Sequence, residues 1–314
     1  MANSAAVRVC DAVGPHRLHL GRCEDVLPTL PTANVDVICT SPPYNLGVRY
    51  ASGAGDDMEE AAYLQWFAGM AVSLARVMKP GGSFFLNIGS APSKPWLPFA
   101  LPMHLRSLRR GDGKPLFVLQ NRIVWAKSIT VAGETRGQLK PLTSRRFLND
   151  THEFLLHFTL GGDVPLDRLA IGVPYADRAN LARFGAAGRA DVRCRGNTWF
   201  VPYDTVQSRA EKFHHPASFP VALPRWAIRL HGVARPVVLD PFSGTGTTAL
   251  AAHLEGATGW GIEMAPDYHA AAVARLCVAL DPPVEPVRRS RPRPARRRVP
   301  ALSADLLGEI RDAR

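Results

Sequence analysis

The chain has 314 residues, of which 46% are hydrophobic and 21% charged, enough to bury a full α/β core and still carry an inserted lobe or a tail. Its formal net charge of +11 favours a polyanionic partner, and residues 282–314 concentrate part of that charge, with nine arginines against four acids. Five scattered cysteines without CxxC or Cys/His spacing argue against a zinc site and a disulfide framework, and no run approaches the roughly 18–20 apolar residues that span a bilayer, so a cytoplasmic protein with no metal and no membrane partner is expected.

In chain order, short runs rich in Val, Ile, Leu and Phe predict seven strands, at residues 16–21, 36–40, 82–88, 122–127, 153–158, 236–242 and 259–263. Between the second and third, Tyr63, Trp66, Phe67, Met70, Leu74, Val77 and Met78 recur at spacings of three and four, which predicts a helix over 57–79 whose stripe is core. Pro80-Gly81-Gly82 ends it. Two further helices are expected at 246–255 and 265–280. Strand and helix in alternation imply a mostly parallel, doubly wound sheet. Residues 159–205 break the rhythm with scattered Gly and Arg and the aromatics Trp199, Phe200 and Tyr203, and read as an inserted lobe. The expected organisation is therefore 1–158, the lobe 159–205, a second part 206–281 of the same domain, and a basic tail 282–314. Seven arginines between Arg288 and Arg298 and many prolines keep the tail from ordering, with a short helix possible only at 302–310.

Two loops carry chemistry. Thr40-Ser41-Pro42-Pro43-Tyr44-Asn45 follows a strand, and its two prolines forbid both helix and ladder pairing. Residues 237–248, reading VVLDPFSGTGTT, run from a strand through Gly244 and Gly246 into a helix start, where backbone N–H groups are exposed to a ligand. No Lys follows for a phosphate-binding P-loop, and no third glycine stands at dinucleotide spacing. Glu263 ends the next strand, where a carboxylate can accept from both hydroxyls of a ribose.

Together these residues resemble the DNA amino-methyltransferases that modify N(4) of cytosine or N(6) of adenine. The catalytic loop precedes the cofactor loop with a variable lobe between them, which resembles the circularly permuted β class over about residues 16–280. The resemblance implies a Rossmann-like, seven-stranded sheet of the class I methyltransferase type with an inserted target-recognition lobe, and S-adenosyl-L-methionine as cofactor. Ser41 and the Pro42 carbonyl would accept hydrogen bonds from the target amine, Pro43 would stiffen the loop, and Tyr44 would stack on a base flipped from double-stranded DNA. Thr40, Cys23, Asp240, Phe242, Gly244, Gly246, Thr247, Thr248 and Glu263 would bind the cofactor, with His215, Pro216 and Phe219 at its methionine end.

Arg136, Lys140, Arg145, Arg146, Arg178, Arg183, Arg189, Arg193 and Arg195 are candidate DNA contacts, to phosphate or to guanine, and the tail is a candidate DNA tether. Ser41 favours cytosine N(4), with adenine N(6) as the alternative. An RNA or protein amino-methyltransferase and an inactive DNA-binding module are the rival readings. No cysteine follows a proline, which argues against carbon-5 cytosine chemistry. The resemblance further implies a bacterial, nucleoid-associated enzyme, a homodimer, and a separate cognate restriction endonuclease. One departure stands out. The family's first block usually reads Gly-Asp at the adenine edge of the cofactor, and here Gly21 is followed by Arg22, which cannot accept a hydrogen bond, so that contact would pass to backbone groups or to Glu24.

Overall fold

The computed structural model describes residues 9–48, 56–137, 144–176, 192–202 and 219–281, all within the compact unit Met1–Asp281. The tail 282–314, Tyr203, Lys140, Arg178, Arg183, Arg189, His215 and Pro216 lie outside the described residues.

The strands are β1 (Val9–Val13), β2 (His16–Leu20), β3 (Val35–Thr40), β4 (Met78–Ile88), β5 (Val118–Ala126), β6 (Ser128–Val131), β7 (Glu134–Gly137), β8 (His152–Thr159), β9 (Val173–Pro174), β10 (Val192–Arg193), β11 (Thr198–Phe200), β12 (Val237–Asp240) and β13 (Thr258–Glu263). The helices are α1 (Cys23–Val26), α2 (Glu60–Val77), α3 (Leu97–Ser107), α4 (Ala222–His231), α5 (Thr247–Leu254) and α6 (Pro266–Leu280). One sheet runs β1-β2-β13-β12-β3-β4-β8-β5-β11. All seven expected strands are in it, and β1 and β11 at its two edges make it nine-stranded where seven strands were expected. β2, β13, β12, β3 and β4 pair parallel, and β8 is antiparallel to both β4 and β5.

Alternate side chains leave the sheet on opposite faces. Ile38, Phe84, Leu86, Leu239 and Ile262 pack with α2 and α3, while Val37, Cys39, Phe85 and Val238 pack with α4 and α5. α2 buries Tyr63, Phe67, Met70, Leu74 and Val77, and begins at Glu60 because the Glu59 carboxylate caps the Ala62 N–H. β4 starts directly after it, four residues earlier than expected. Pro80-Gly81-Gly82 is absorbed as a bulge between the pairs Val35↔Met78 and Val37↔Ser83.

The expected lobe boundaries are too wide for the described residues. β11 joins the sheet parallel to β5 with Trp199 fully buried, and Leu166 and Ile171 pack into the core beside α4. Three aromatic or apolar residues in a row are too short a signal to separate a strand from a loop. No described helix is long and apolar enough to cross a membrane.

Histidines fill polar gaps in this core. His157 stacks on Phe85 at 4.4 Å, and Ser83 Oγ lies between His157 Nε2 at 3.0 Å and His231 Nδ1 at 2.9 Å. Burial, and the nearby His231, push His157 down to about 3. Because its folded value lies below the unfolded 6.5, the neutral ring stabilises the fold fully above pH 6.5, and that contribution is lost as pH falls toward 3. Replacing His157 by Gln is therefore expected to change the pH dependence of urea unfolding. The stability difference between wild type and His157→Gln should shift by on the order of 2 kcal/mol between pH 7 and pH 5. An unchanged difference would show that the ring titrates normally.

Candidate active site

β3 and β12 lie side by side in the sheet, yet their chain connections diverge: β3 leads through α2 to β4 on one side, β12 through α5 to β13 on the other. The crevice outside the carboxyl ends of such a strand pair is where open α/β sheets bind ligands. Both loops singled out from the sequence open into it. A cavity of about 350 Å³ is lined by Ser41, Pro42, Pro43 and Tyr44 from one loop and by Phe242, Ser243, Gly244, Thr245 and Thr247 from the other.

Asp240, at the end of β12, holds the two loops together. Its Oδ1 accepts from Thr40 Oγ1 at 2.6 Å and Phe242 N at 3.0 Å, and its Oδ2 from Thr248 Oγ1 at 2.7 Å. Burial raises this carboxyl to about 6, although all three hydrogen bonds act to lower it. Thr40, Asp240 and Thr248, expected at the cofactor, are thus a buried brace and do not line the cavity. Gly246 does not line it either. It sits at φ +78° as the cap of α5, where a Cβ would come within 2.9 Å of the Ala272 Cβ, so the loop can turn there only as glycine.

The Ser41–Asn45 loop is tied on three sides. Tyr63 Oη donates to the Pro43 carbonyl at 2.7 Å. The Asp56 carboxylate gathers the N–H groups of Asn45, Leu46 and Val48, with Asn45 in the left-handed region at φ 57°. Tyr44 Oη lies 2.8 Å from Ser41 Oγ and donates to Glu153 Oε2 at 3.0 Å, while Asn87 Nδ2 donates to Tyr44 Oη at 2.7 Å. Lys127 Nζ pairs with Glu153 Oε1 at 3.1 Å. Asn87, Glu153, Lys127 and Asp56 went unnoticed in the sequence. Their only signal was position: Asn87 and Glu153 stand at the ends of two recognised strands nearest the crevice. Among the described residues, no donor reaches the Pro42 carbonyl.

At the other end, Glu263 accepts from Gly244 N at 2.9 Å and Ala265 N at 2.7 Å, each through one oxygen, so further lone pairs remain toward the cavity. Burial holds its pKa above the usual carboxylate range, against these backbone donors. Ser243 Oγ is buried, lines the cavity, and has no partner among the described residues. Trp66 and Phe242 rings stand 5.8 Å apart. Arg22 turns to Glu24, with Nη2 to Oε1 at 2.9 Å, and Trp66 Nε1 donates to the same oxygen at 2.7 Å. Burial works against ionisation of Glu24, but the donors of Trp66, Cys23 and Arg22 outweigh it and hold the carboxyl low. Cys23 lines the cavity with its thiol turned to Glu24 and Met70, and burial pushes that thiol up, so it stays protonated. Phe219 completes the wall. An acceptor-rich carboxylate, an unpartnered buried hydroxyl and two aromatic faces fit a nucleoside with a cationic group, and the lining charges agree: Glu24, Asp56, Glu153 and Glu263 against Arg22.

Of the candidate DNA contacts, Arg136, Arg145, Arg146 and Arg193 are exposed. Arg195 is half-buried, 4.0 Å over the Trp226 ring with Nε donating to the Ile171 carbonyl at 2.9 Å. Its fixed planar guanidinium suits stacking as well as it suits DNA, which charge in a sequence cannot distinguish.

The sequence profile of the DNA methylase family matches residues 35–274. The chain is 29% identical over 268 residues to the type II methyltransferase M.ScaI of Streptomyces caespitosus, covering 82% of this chain and 80% of that protein. The structure of the PvuII DNA methyltransferase, described as cytosine-N4-specific, superposes with a TM-score of 0.59 at 20% identity over 82% of this chain and 85% of the other. A DNA modification methylase of Thermus thermophilus complexed with S-adenosyl-L-methionine does so with a TM-score of 0.50 at 21% identity, over 83% and 96%.

If Asp240 is the brace, Asp240→Ala should cost about 2–3 kcal/mol in urea unfolding, because it strands two buried hydroxyls and an N–H. Asp240→Asn, which keeps an acceptor and has no charge to bury, should cost less than about 1 kcal/mol. Equal losses from the two variants would contradict the assignment.

Proposed function

The chain belongs to the DNA methylase family matched over residues 35–274, and from that premise we propose that it transfers a methyl group from S-adenosyl-L-methionine to the N(4) exocyclic amine of cytosine at a specific sequence in duplex DNA. The observation that carries this reading is the single cavity shared by Ser41–Tyr44 and the glycine loop at the carboxyl ends of β3 and β12. The cofactor supplies an electrophilic methyl group on a sulfonium. Glu263 would hold the ribose hydroxyls, Phe242 and Trp66 would flank the adenine, and Glu24 would stand in for the acceptor that Arg22 cannot provide.

An exocyclic amine is a poor nucleophile because its lone pair is delocalised into the ring. Acceptors on its two hydrogens favour a tetrahedral nitrogen and free the lone pair for in-line attack. The Pro42 carbonyl and Ser41 Oγ would be these acceptors, and the Tyr44 ring would stack on the flipped base. Arg136, Arg145, Arg146 and Arg193 would contact the duplex outside the cavity. Cytosine is supported by Ser41 at the head of the loop and by the likeness to a structure described as cytosine-N4-specific. The type II methyltransferase relatives support a place beside a separate restriction endonuclease.

Mass spectrometry of nucleosides from DNA incubated with the protein and cofactor should find N(4)-methylcytosine. N(6)-methyladenine would move the assignment to the alternative base. Unmodified DNA would refute the reading. Ser41→Ala and Tyr44→Ala should each lower transfer at least about 100-fold, with cofactor affinity within about threefold of wild type. Glu263→Ala should instead weaken cofactor binding at least about tenfold.

A further inference from the structure

We propose that Lys127 and Glu153 fix the direction of a hydrogen-bond chain through Tyr44 to Ser41, which makes the Ser41 oxygen an acceptor for the target amine and gives the released proton a path to the Glu153 carboxylate. The proposal rests on the amino-methyl-transfer reading above. Glu153 and Lys127 are positioning residues within it, since neither touches the base.

The direction follows from what each group can donate. Lys127 Nζ can only donate, and it takes Glu153 Oε1 at 3.1 Å in a pair whose side chains are 15% and 12% exposed. An ion-paired carboxylate can only accept, so the hydroxyl proton of Tyr44, 3.0 Å from Oε2, points to Glu153. That proton is the only one the phenol has. In the 2.8 Å contact between Tyr44 Oη and Ser41 Oγ the donor is consequently Ser41. With its proton turned away, Ser41 presents lone pairs to the cavity it lines.

Asn87 supports the same sense. Its amide nitrogen donates to Glu153 Oε2 and to Tyr44 Oη, both at 2.7 Å. Turning the amide over would set its oxygen against the carboxylate. Space is kept for the arrangement at Gly89, where a Cβ would come within 2.9 Å of Glu153 Cγ and 3.0 Å of Tyr44 Cε2.

The reaction releases one proton. As the amine nitrogen bonds the methyl carbon and the carbon–sulfur bond breaks, with its electron pair returning to sulfur, the nitrogen becomes cationic and holds two hydrogens. One of these passes to Ser41 Oγ while the Ser41 proton moves to Tyr44 Oη and the Tyr44 proton to Glu153 Oε2. The product is then a neutral methylated amine, and Glu153 is left as a carboxylic acid until solvent removes its proton.

A glutamine at 153 would invert the chain. Lys127 would claim the amide oxygen, the amide N–H would face Tyr44, the phenol would donate to Ser41, and the Ser41 proton would turn toward the amine.

The test is the single-turnover rate of methyl transfer to duplex DNA for wild type, Glu153→Gln, Tyr44→Phe and the double variant, with cofactor and DNA affinities measured alongside. Each single variant should slow transfer at least about 100-fold while both affinities stay within about threefold. Because both break one chain, the double variant should be within about threefold of Tyr44→Phe. Additive losses, or a Tyr44→Phe rate within tenfold of wild type, would overturn the proposal. Tyr44→Phe keeps the ring and the Lys127–Glu153 pair, so it decides the matter even if Glu153→Gln fails to fold. A wild-type protein that methylates no duplex DNA would overturn the underlying reading, whereas an active wild type with unaffected variants would overturn only the chain.

Discussion

The site depends on one buried carboxylate. Asp240 ends β12, and through three hydrogen bonds it indexes Thr40 at the root of the Ser41–Asn45 loop, Phe242 in the glycine loop and Thr248 in the first turn of α5. Thr40 and Asp240 are 200 residues apart in the chain, brought together by the parallel pairing of Val37 and Ile38 with Val238 and Leu239. Strand pairing alone fixes the two loops only at their roots. The carboxylate extends that register past the sheet edge, at the cost of burying a charge that would rather be neutral, as its rise to about 6 records.

The same logic runs through the rest of the cavity. Polar groups satisfy one another, and what lines the cavity besides them is mainly acceptor, the carboxylates of Glu263 and Glu24 among it. Four carboxylates against one arginine give an acidic interior to a protein of net charge +11. Such a division suits two ligands of opposite sign, a cation inside and a polyanion outside, where Arg136, Arg145, Arg146 and Arg193 are exposed.

Sequence pattern revealed seven of the nine strands of the sheet, because short apolar runs bounded by turn residues and the 63-67-70-74-77 stripe of α2 are strong signals. It missed β1, β11, whose three residues are held by the buried Trp199, and α3 and α4, which carry prolines at 98, 102 and 224, two of them in first turns. Of the site, the two loops were legible as motifs, since proline and glycine act locally. The partners of those loops were not. Asp56, Asn87, Lys127 and Glu153 matter through where tertiary packing sets them. Conversely, motif membership overstated Thr40, Gly246 and Thr248, which shape the cavity from behind.

Arg22 shows how such a departure is absorbed. The position after Gly21 lies at the cavity rim, where the Gly21 N–H is held by the Glu263 carbonyl at 2.8 Å. An arginine there would present a cation to a site that otherwise offers carboxylates. Its side chain instead bends to Glu24, two residues on, and joins the Trp66 indole in holding that carboxylate ionised. The edge thus regains an acceptor on α1 in place of one at position 22. Because α1 is a single turn with no side-chain cap of its own, the orientation of Glu24 rests on Trp66, and through it on the packing of α2. The two sides of the cavity therefore share a support: Tyr63 on α2 holds the Pro43 carbonyl, and Trp66, three residues along the same helix, holds Glu24.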